Sequence, residues 1–392
     1  FTKMYSPYLS EELLMEILSW ISVKVLMRLR CVSKCWNSLI SNPTFIKLHL
    51  DRSSRNTDIL LTFTAFDGRE RGDGGKADVC LAPCSIHGLL ENPLSTIHDT
   101  FWHRFSQYED LWIVDVCNGL VCLCNSRYGY SYQFLVWNPA TRIMSLASPW
   151  LPCPPKKFHH MFGFGYDDLS DTYKVLVLLL DIQSQIWEVK SHCFGDTCWR
   201  SISTFSTSSS IFPFISRHNG GFVSGRLNWL THRGFSGPGW PHIIPINWLV
   251  IFSYDIRNQT YTYLLPPHDL CDDLLSSSDP KLGVLRGSLC LSHSHKDINF
   301  VVWRMTEFGV EKSWTRILNV CCDPRTFVPE TRKPVYISES GDVTILDNFG
   351  FEFVIYNTRD NKILNRLVSE ELFGDRYYSY DYCQSLVLPH GN

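Results

Sequence analysis

Apolar residues in the first fifty positions recur with a helical period. Leu13, Leu14, Ile17, Leu18 and Ile21 fall three and four apart, preceded by Ser10 as an N-cap and by Glu11 and Glu12 where the helix dipole favours acids. The pattern predicts a helix over residues 11–20. Val25, Leu26, Leu29 and Val32 predict a second, with Ser22 placed to cap it. A third starts at Ser33, carries Trp36, Leu39 and Ile40, and stops before Asn42-Pro43, a pair that biases the chain out of helix. A further turn from Thr44 carries Phe45, Leu48 and Leu50. A module this small has only a thin core, so its apolar faces are expected to be covered by a partner.

From Ile59 the period changes to two. Residues 59–63, 173–180, 222–223, 249–254, 300–303, 343–346 and 351–356 are β-branched or aromatic runs bounded by Gly, Pro, Asn and Asp, the signature of an all-β domain. Residues 67–76, 206–210 and 269–279 are polar and read as loops. One unit repeats: Gly, a small apolar strand, a loop, then an aliphatic-aromatic strand ending in an Asn- or Asp-rich turn. Copies start at Gly119, Gly225, Gly287 and Gly341, with Gly163-Phe164-Gly165 supplying the copy between the first two. A period of about fifty residues with several strands per copy fits propeller blades, and the length gives about six. Glycine at each start is expected to let strands approach near the propeller axis, with the third-strand Trp or Tyr filling space between blades. Ring closure is expected between residues 58–63 and 384–388, apolar runs outside any repeat.

The fold class is therefore α+β multidomain, a small helical unit followed by a propeller. Its parts are residues 1–50, a linker with the first closing strand at 51–79, and the propeller at 80–392. Composition narrows the function. Hydrophobic residues make up 44% and aromatics 14%, which excludes general disorder, and a formal charge of −3 gives no cationic field for nucleic acid or a membrane surface. The longest apolar run is 175–180, too short to span a bilayer, and the N-terminus shows no secretory apolar region. Fifteen scattered cysteines argue against a disulfide framework and for a reducing compartment, cytoplasmic or nuclear. Between residues 21 and 55, seven basic residues face one acid, and this run is either a solvated helix face or a surface for an acidic partner.

No enzyme or metal signature competes. Cys31/Cys35, Cys80/Cys84, Cys122/Cys124, Cys321-Cys322 and His293/His295 lack zinc-site spacing, and His159-His160 reads as a loop pair. Asp167-Asp168 and Asp272-Asp273 sit in turn-like sequence, and no nucleophile elbow or phosphate loop occurs. No cofactor or catalytic residue is expected.

The stretch LSEELLMEILSWISVKVLMRLRCVSKCWNSLIS, residues 9–41, resembles an F-box of the plant type that precedes an F-box-associated or kelch-like propeller. Serines at positions 10 and 22 stand where that family usually has proline. NGLVCL, WNPATR, FGFGYD, GRLNWL and FSYDI, within residues 118–256, are similar to the associated propeller. The resemblance implies a non-catalytic substrate receptor of an SCF-type ubiquitin ligase. Its helical face would bind a Skp-type adaptor, and through it cullin and RING subunits, while the propeller holds a protein target. The adaptor face implied is Leu9, Leu13, Leu14, Ile17, Leu18, Val25, Leu26, Leu29, Val32, Ser33, Lys34 and Trp36. A propeller scaffold or lectin-like binding protein outside ubiquitination is the alternative. The target is expected at Arg217, His218, Arg233, Phe235, Trp240 and His242, the segment richest in aromatic and basic residues outside strand-like runs.

Overall fold

The computed structural model describes residues 10–53, 58–66, 77–108, 110–153, 158–181, 183–206, 211–213, 219–233, 248–270, 280–295, 299–321, 332–348, 352–368 and 377–389. Four helices open the chain: α1 (Glu11–Leu18), α2 (Val23–Leu29), α3 (Lys34–Ile40) and α4 (Pro43–Ser53). α1 stops at Leu18, two residues before the expected end, with Ser19 as its C-cap. Asn42-Pro43 ends α3 and also starts α4, because proline suits the first helical position and Asn42 Oδ1 accepts the Thr44 N–H at 2.9 Å. A full helix to Ser53 therefore replaces the single turn expected there and carries the helical unit past residue 50.

The β-domain is a series of antiparallel runs. The first is β1 (Asp58–Phe66) and β2 (Ala77–Ser85), then, after two helices, β3 (His103–Phe105). Those helices, α5 (Ile86–Glu91) and α6 (Pro93–His98), interrupt a domain expected to be all β. Ser85 and Asn92 cap them through the amides of Gly88 and Ser95. The second run is β4 (Leu111–Cys117), β5 (Leu120–Arg127), β6 (Ser131–Asn138) and β7 (Ile143–Met144), with β8 (Leu151–Pro152) beside β6. The third is β9 (Phe158–Asp167), β10 (Thr172–Asp181), β11 (Ile186–Cys193) and β12 (Arg200–Ser206). The fourth holds β13 (Ile211–Pro213), β14 (Asn219–Val223), β15 (Arg226–Arg233), β16 (Leu249–Asp255) and β17 (Thr260–Leu264). The fifth is β18 (Lys281–Leu285), β19 (Ser288–His295), β20 (Asn299–Met305) and β21 (Trp314–Cys321). The sixth is β22 (Arg332–Ile337), β23 (Val343–Asn348), β24 (Glu352–Asn357) and β25 (Lys362–Val368), and β26 (Tyr377–Tyr382) returns to β1. His159 and His160 lie within β9, not in a loop.

Among the described residues five hydrogen-bonded sheets result where about six separate blades are expected. The third and fourth runs merge because Asn219 and Gly220 pair in parallel with Phe162 and Gly163. Neighbouring runs share buried clusters. Ile59 and Leu61 pack with Ile345 and Phe353, Leu81 with Leu123 and Trp137, and Ile251 with Leu289 and Trp303. The third-strand aromatics Trp137, Tyr254, Trp303 and Tyr356 are all buried, as the repeat implies.

Gly119 meets the expectation of close approach, since a Cβ there would lie 2.6 Å from Cys383 O, but at Gly225 and Gly287 nothing is near and the role is another, that of the turn itself. Asn118-Gly119, Ser224-Gly225 and Arg286-Gly287 have paired positive φ angles of 52° and 76°, 51° and 75°, and 50° and 72°. They are the central residues of two-residue hairpins joining each first strand to the second, a turn that needs φ > 0 at both positions. Gly163 is not equivalent, since it lies inside β9. The Asn- and Asp-rich turns that close the third strands are Asx turns: Asn138 Oδ1 accepts from Ala140 and Thr141, and Asp255 Oδ1 from Arg257 and Asn258.

Closure also falls elsewhere. The pairing is Asp58 with Tyr382 through Phe63 with Tyr377, so 377–382 is the closing strand and not 384–388. The later residues leave the sheet for a second task. Asn138 Nδ2 donates to the carbonyls of Ser385 and Val387 at 3.0 and 2.8 Å, and the Ser385 hydroxyl donates to Asn118 O at 2.7 Å. Leu386 and Val387 then join the buried cluster that includes the helices.

Candidate functional site

Local chemistry explains how the four helices are held. The Ser10 hydroxyl accepts the Leu13 N–H at 3.3 Å and Ser33 accepts the Trp36 N–H at 3.2 Å. A backbone amide, then the Ser10 hydroxyl, hold the Glu12 carboxyl below its usual range. Ser22 occupies the N-cap of α2 without a side-chain cap bond. α4 is tied back to α1 by Arg52, which donates to Glu16 O at 2.7 Å, pairs with the Glu16 carboxylate and lies 4.8 Å from the Trp20 ring centroid. His49 is buried between Ile21 O, 2.9 Å from Nε2, and the Ser53 hydroxyl, 3.1 Å from Nδ1. Burial depresses its pKa against the opposing pull of the Ile21 carbonyl.

These ties sort the apolar residues into two sets. Leu18, Val23, Leu26, Leu39, Ile40, Phe45 and Ile46 are buried in a cluster continuous with Leu120, Phe134 and Val387 of the β-domain. Leu13, Ile17, Trp20, Val25 and Val32 are exposed, from 39% at Val25 to 68% at Val32. Leu14, Leu29 and Trp36 are half-buried on the margin, and Ser33 and Lys34 are exposed. Leu18 and Leu26, expected on the docking face, are instead buried in the protein's own cluster. Trp20 belongs to the exposed face and was missed, although it stands at the end of the same apolar stripe. Leu9 lies outside the described residues.

Charge at this face is more modest than the run of basic residues suggests. Lys47 pairs with Asp171 of the β-domain at 3.1 Å, Arg52 with Glu16, and Arg30 Nε donates to Asn37 Oδ1 at 2.9 Å. Lys24, Arg28 and Lys34 stay exposed beside the apolar patch. An exposed apolar strip with a basic rim suits protein contact, where buried apolar anchors supply most of the energy.

Residues 7–48 match the F-box domain, and residues 83–388 match the F-box associated beta propeller domain. The chain belongs to the F-box associated beta propeller family. This F-box protein is 28% identical over 397 residues to the F-box/kelch-repeat protein At3g23880 of Arabidopsis thaliana, spanning 99% of this chain and 98% of that protein. It is 25% identical over 318 residues to the Arabidopsis F-box protein CPR1, spanning 76% and 70%. A solved chain in the complex of KlAtg21 with the coiled-coil of AgAtg16 aligns over 74% of this F-box protein and 77% of its own length. Its TM-score is 0.38 and its identity 9%, a likeness too low to assign a fold.

On the propeller of this F-box protein, Arg233 ends β15, its backbone paired with Ile211. Arg217, His218, Phe235, Trp240 and His242 lie outside the described residues. A site not anticipated from sequence is the central cavity, of about 240 Å³, reached by β4, β9, β14, β18, β22 and β26. It carries Asp115, Lys281, Lys333 and Asp381. Asp115 inside the otherwise apolar β4 was the legible signal.

Proposed function

We propose that this protein is the substrate-recognition subunit of an SCF-type ubiquitin ligase. The exposed strip of Leu13, Ile17, Trp20, Val25 and Val32, on a module that matches the F-box domain, carries this reading. Five large apolar side chains held outward by a module whose own core is already filled are surface built for a partner. A Skp-type adaptor covers that strip with cullin and RING subunits beyond it, and the exposed Lys24, Arg28 and Lys34 favour an acidic margin on the adaptor. The β-domain is the target-binding half, counted as six kelch-like blades if the merged nine-stranded sheet is taken as two. Arg233 and its neighbours in sequence remain the proposed target face. The protein itself is non-catalytic. Unpaired cysteines such as Cys80, Cys117 and Cys290 suit a reducing compartment, cytoplasm or nucleus.

The test is co-expression with a Skp-type adaptor followed by two-step affinity purification. A stoichiometric complex that captures ubiquitinated proteins when the proteasome is inhibited is the expected result. A chain that purifies alone, with no adaptor at any salt concentration, overturns the reading.

A further inference from the structure

The central cavity is lined by charged side chains from four strands, β4, β18, β22 and β26. β4 carries an irregularity between Ile113 and Asp115, where Ile113 pairs with Leu123 but Asp115 with the adjacent Cys122. Such bulges re-aim a side chain, and here the residue re-aimed is the carboxylate that lines the cavity. The Val116 N–H donates to Asp115 Oδ1 at 2.8 Å and the Phe222 amide also bears on the carboxyl, yet no described donor lies within hydrogen-bond distance of the buried Oδ2. An unmet acceptor of this kind is costly unless something donates to it.

The other charges facing the cavity are engaged. Lys333 of β22 donates from Nζ to Ser379 O at 2.6 Å and stands 4.8 Å from the Tyr380 ring centroid. Asp381 of β26 accepts the Arg286 N–H at 3.1 Å, and Lys281 of β18 also has its interactions. Beside these lie apolar walls, Met161, Trp229, Leu230 and Val284. Gly220 and Gly221 let the space reach past β14 to Trp229 and Leu230, and a Cβ at Gly221 would come within 2.7 Å of Val284. At about 240 Å³ the cavity is smaller than the roughly 300–1,000 Å³ of pockets for drug-sized ligands, so it suits one side chain or a molecule of that size.

We propose that this cavity binds a cationic nitrogen on a short apolar stem, an ammonium or guanidinium such as ends a lysine or arginine side chain, with Asp115 as its counter-charge. The stem lies on Met161, Leu230 and Val284, and the nitrogen donates to Asp115 Oδ2. The source is either a basic side chain of a bound protein or a free small amine, since the recognising chemistry is the same. Nothing at this cavity depends on whether the helical module binds an adaptor. Burial pushes the Asp115 carboxyl up to about 7, only partly opposed by the amides of Val116 and Phe222 and the charge of Lys333. The cation needs the carboxylate, so it binds more tightly as pH rises through that value.

The probe is N-acetyl-lysine methylamide, with the uncharged N-acetyl-norleucine methylamide as control, titrated calorimetrically into the full chain at pH 6 and pH 8. The lysine probe is expected to bind at least about tenfold more tightly than the control at pH 8, with a smaller preference at pH 6. Asp115→Asn should erase the preference. Gly283→Leu should block both probes, because Gly283 lines the cavity and a Cβ there meets nothing within 4 Å, which leaves room for a side chain in that space. Circular dichroism checks that both variants fold, and Gly283→Leu alone decides if Asp115→Asn does not. A peptide with one central lysine that binds more tightly than the capped amino acid assigns the cation to a protein, and equal affinity assigns it to a free amine. Equal binding of lysine and norleucine, or lysine binding that survives Gly283→Leu, overturns the proposal.

Discussion

Leu26 and Ile17 are both aliphatic residues on short amphipathic helices, yet Leu26 is 0% exposed and Ile17 48%. Leu26→Asp puts an unpaired charge into a filled core and should destabilise by on the order of 3–5 kcal/mol, read as a lower denaturant midpoint. Periodicity placed each residue on the apolar stripe of its own helix, and the family resemblance put both on the adaptor face. Periodicity could not separate them, because the β-domain contributes to the cluster over Leu26 and a single-helix pattern holds no trace of that distant surface. The axial acids show the same limit. Burial raises Asp115 to about 7 and Asp381 to about 6, so between the ordinary carboxylate range and those values the folded state holds protons that the unfolded chain has released. Stability contributed by the protonated carboxyls is full in acid and is lost as pH rises toward 7. Asp115→Asn should therefore gain melting temperature relative to the parent between pH 4.5 and pH 7.5. A difference that does not change with pH would count against the buried carboxyl.

The starts of α1, α2 and α3 were legible in sequence from Ser10, Ser22 and Ser33, although only Ser10 and Ser33 make side-chain cap bonds. Ser10 accepts the Leu13 N–H, while Ser22 at the same place on α2 accepts nothing with its side chain. Ser10→Ala should cost about 1 kcal/mol of stability and Ser22→Ala much less, a contrast measurable by chemical denaturation. Ser22 has φ −60° and ψ 146°, an angle that proline already favours, so Ser22→Pro should stabilise by about 0.5 kcal/mol. α5 and α6 were also readable. Asn92-Pro93 is a cap followed by a first-turn proline, and Ile86, Leu89, Pro93 and Ile97 are the buried positions, but the two-residue period read from Ile59 onward left no place for helix. The glycine repeat gave the right spacing for the hairpins, because any first strand turning directly into a second needs a residue tolerant of positive φ.

The molecule closes on itself twice, through β26 against β1 and through residues 383–389, which bind Asn118 and Asn138 and pack toward the helices. The sequence showed that the two ends must meet, since both are apolar runs outside the repeat. Register was beyond it: the segments 377–382 and 384–388 both alternate well enough, and the pairing turns on which one leaves Leu386 and Val387 for the helical cluster. Removing residues 377–392 should strip the partner of β1 and leave an aggregating β-domain, seen by light scattering; a monomeric product with an unchanged melting temperature would contradict this closure. The same buried cluster joins the helical module to the β-domain and leaves Leu13, Ile17, Trp20, Val25 and Val32 exposed on its outside. The most direct measurement is calorimetric titration of a Skp-type adaptor into the full chain and into an Ile17→Asp/Val25→Asp variant. The parent should bind at one-to-one stoichiometry, and the variant, with an unchanged melting temperature, should bind at least about a hundredfold more weakly, because two exposed anchors each worth over 1 kcal/mol are charged. Equal affinity of parent and folded variant would show that the exposed strip of α1 and α2 is not the docking face.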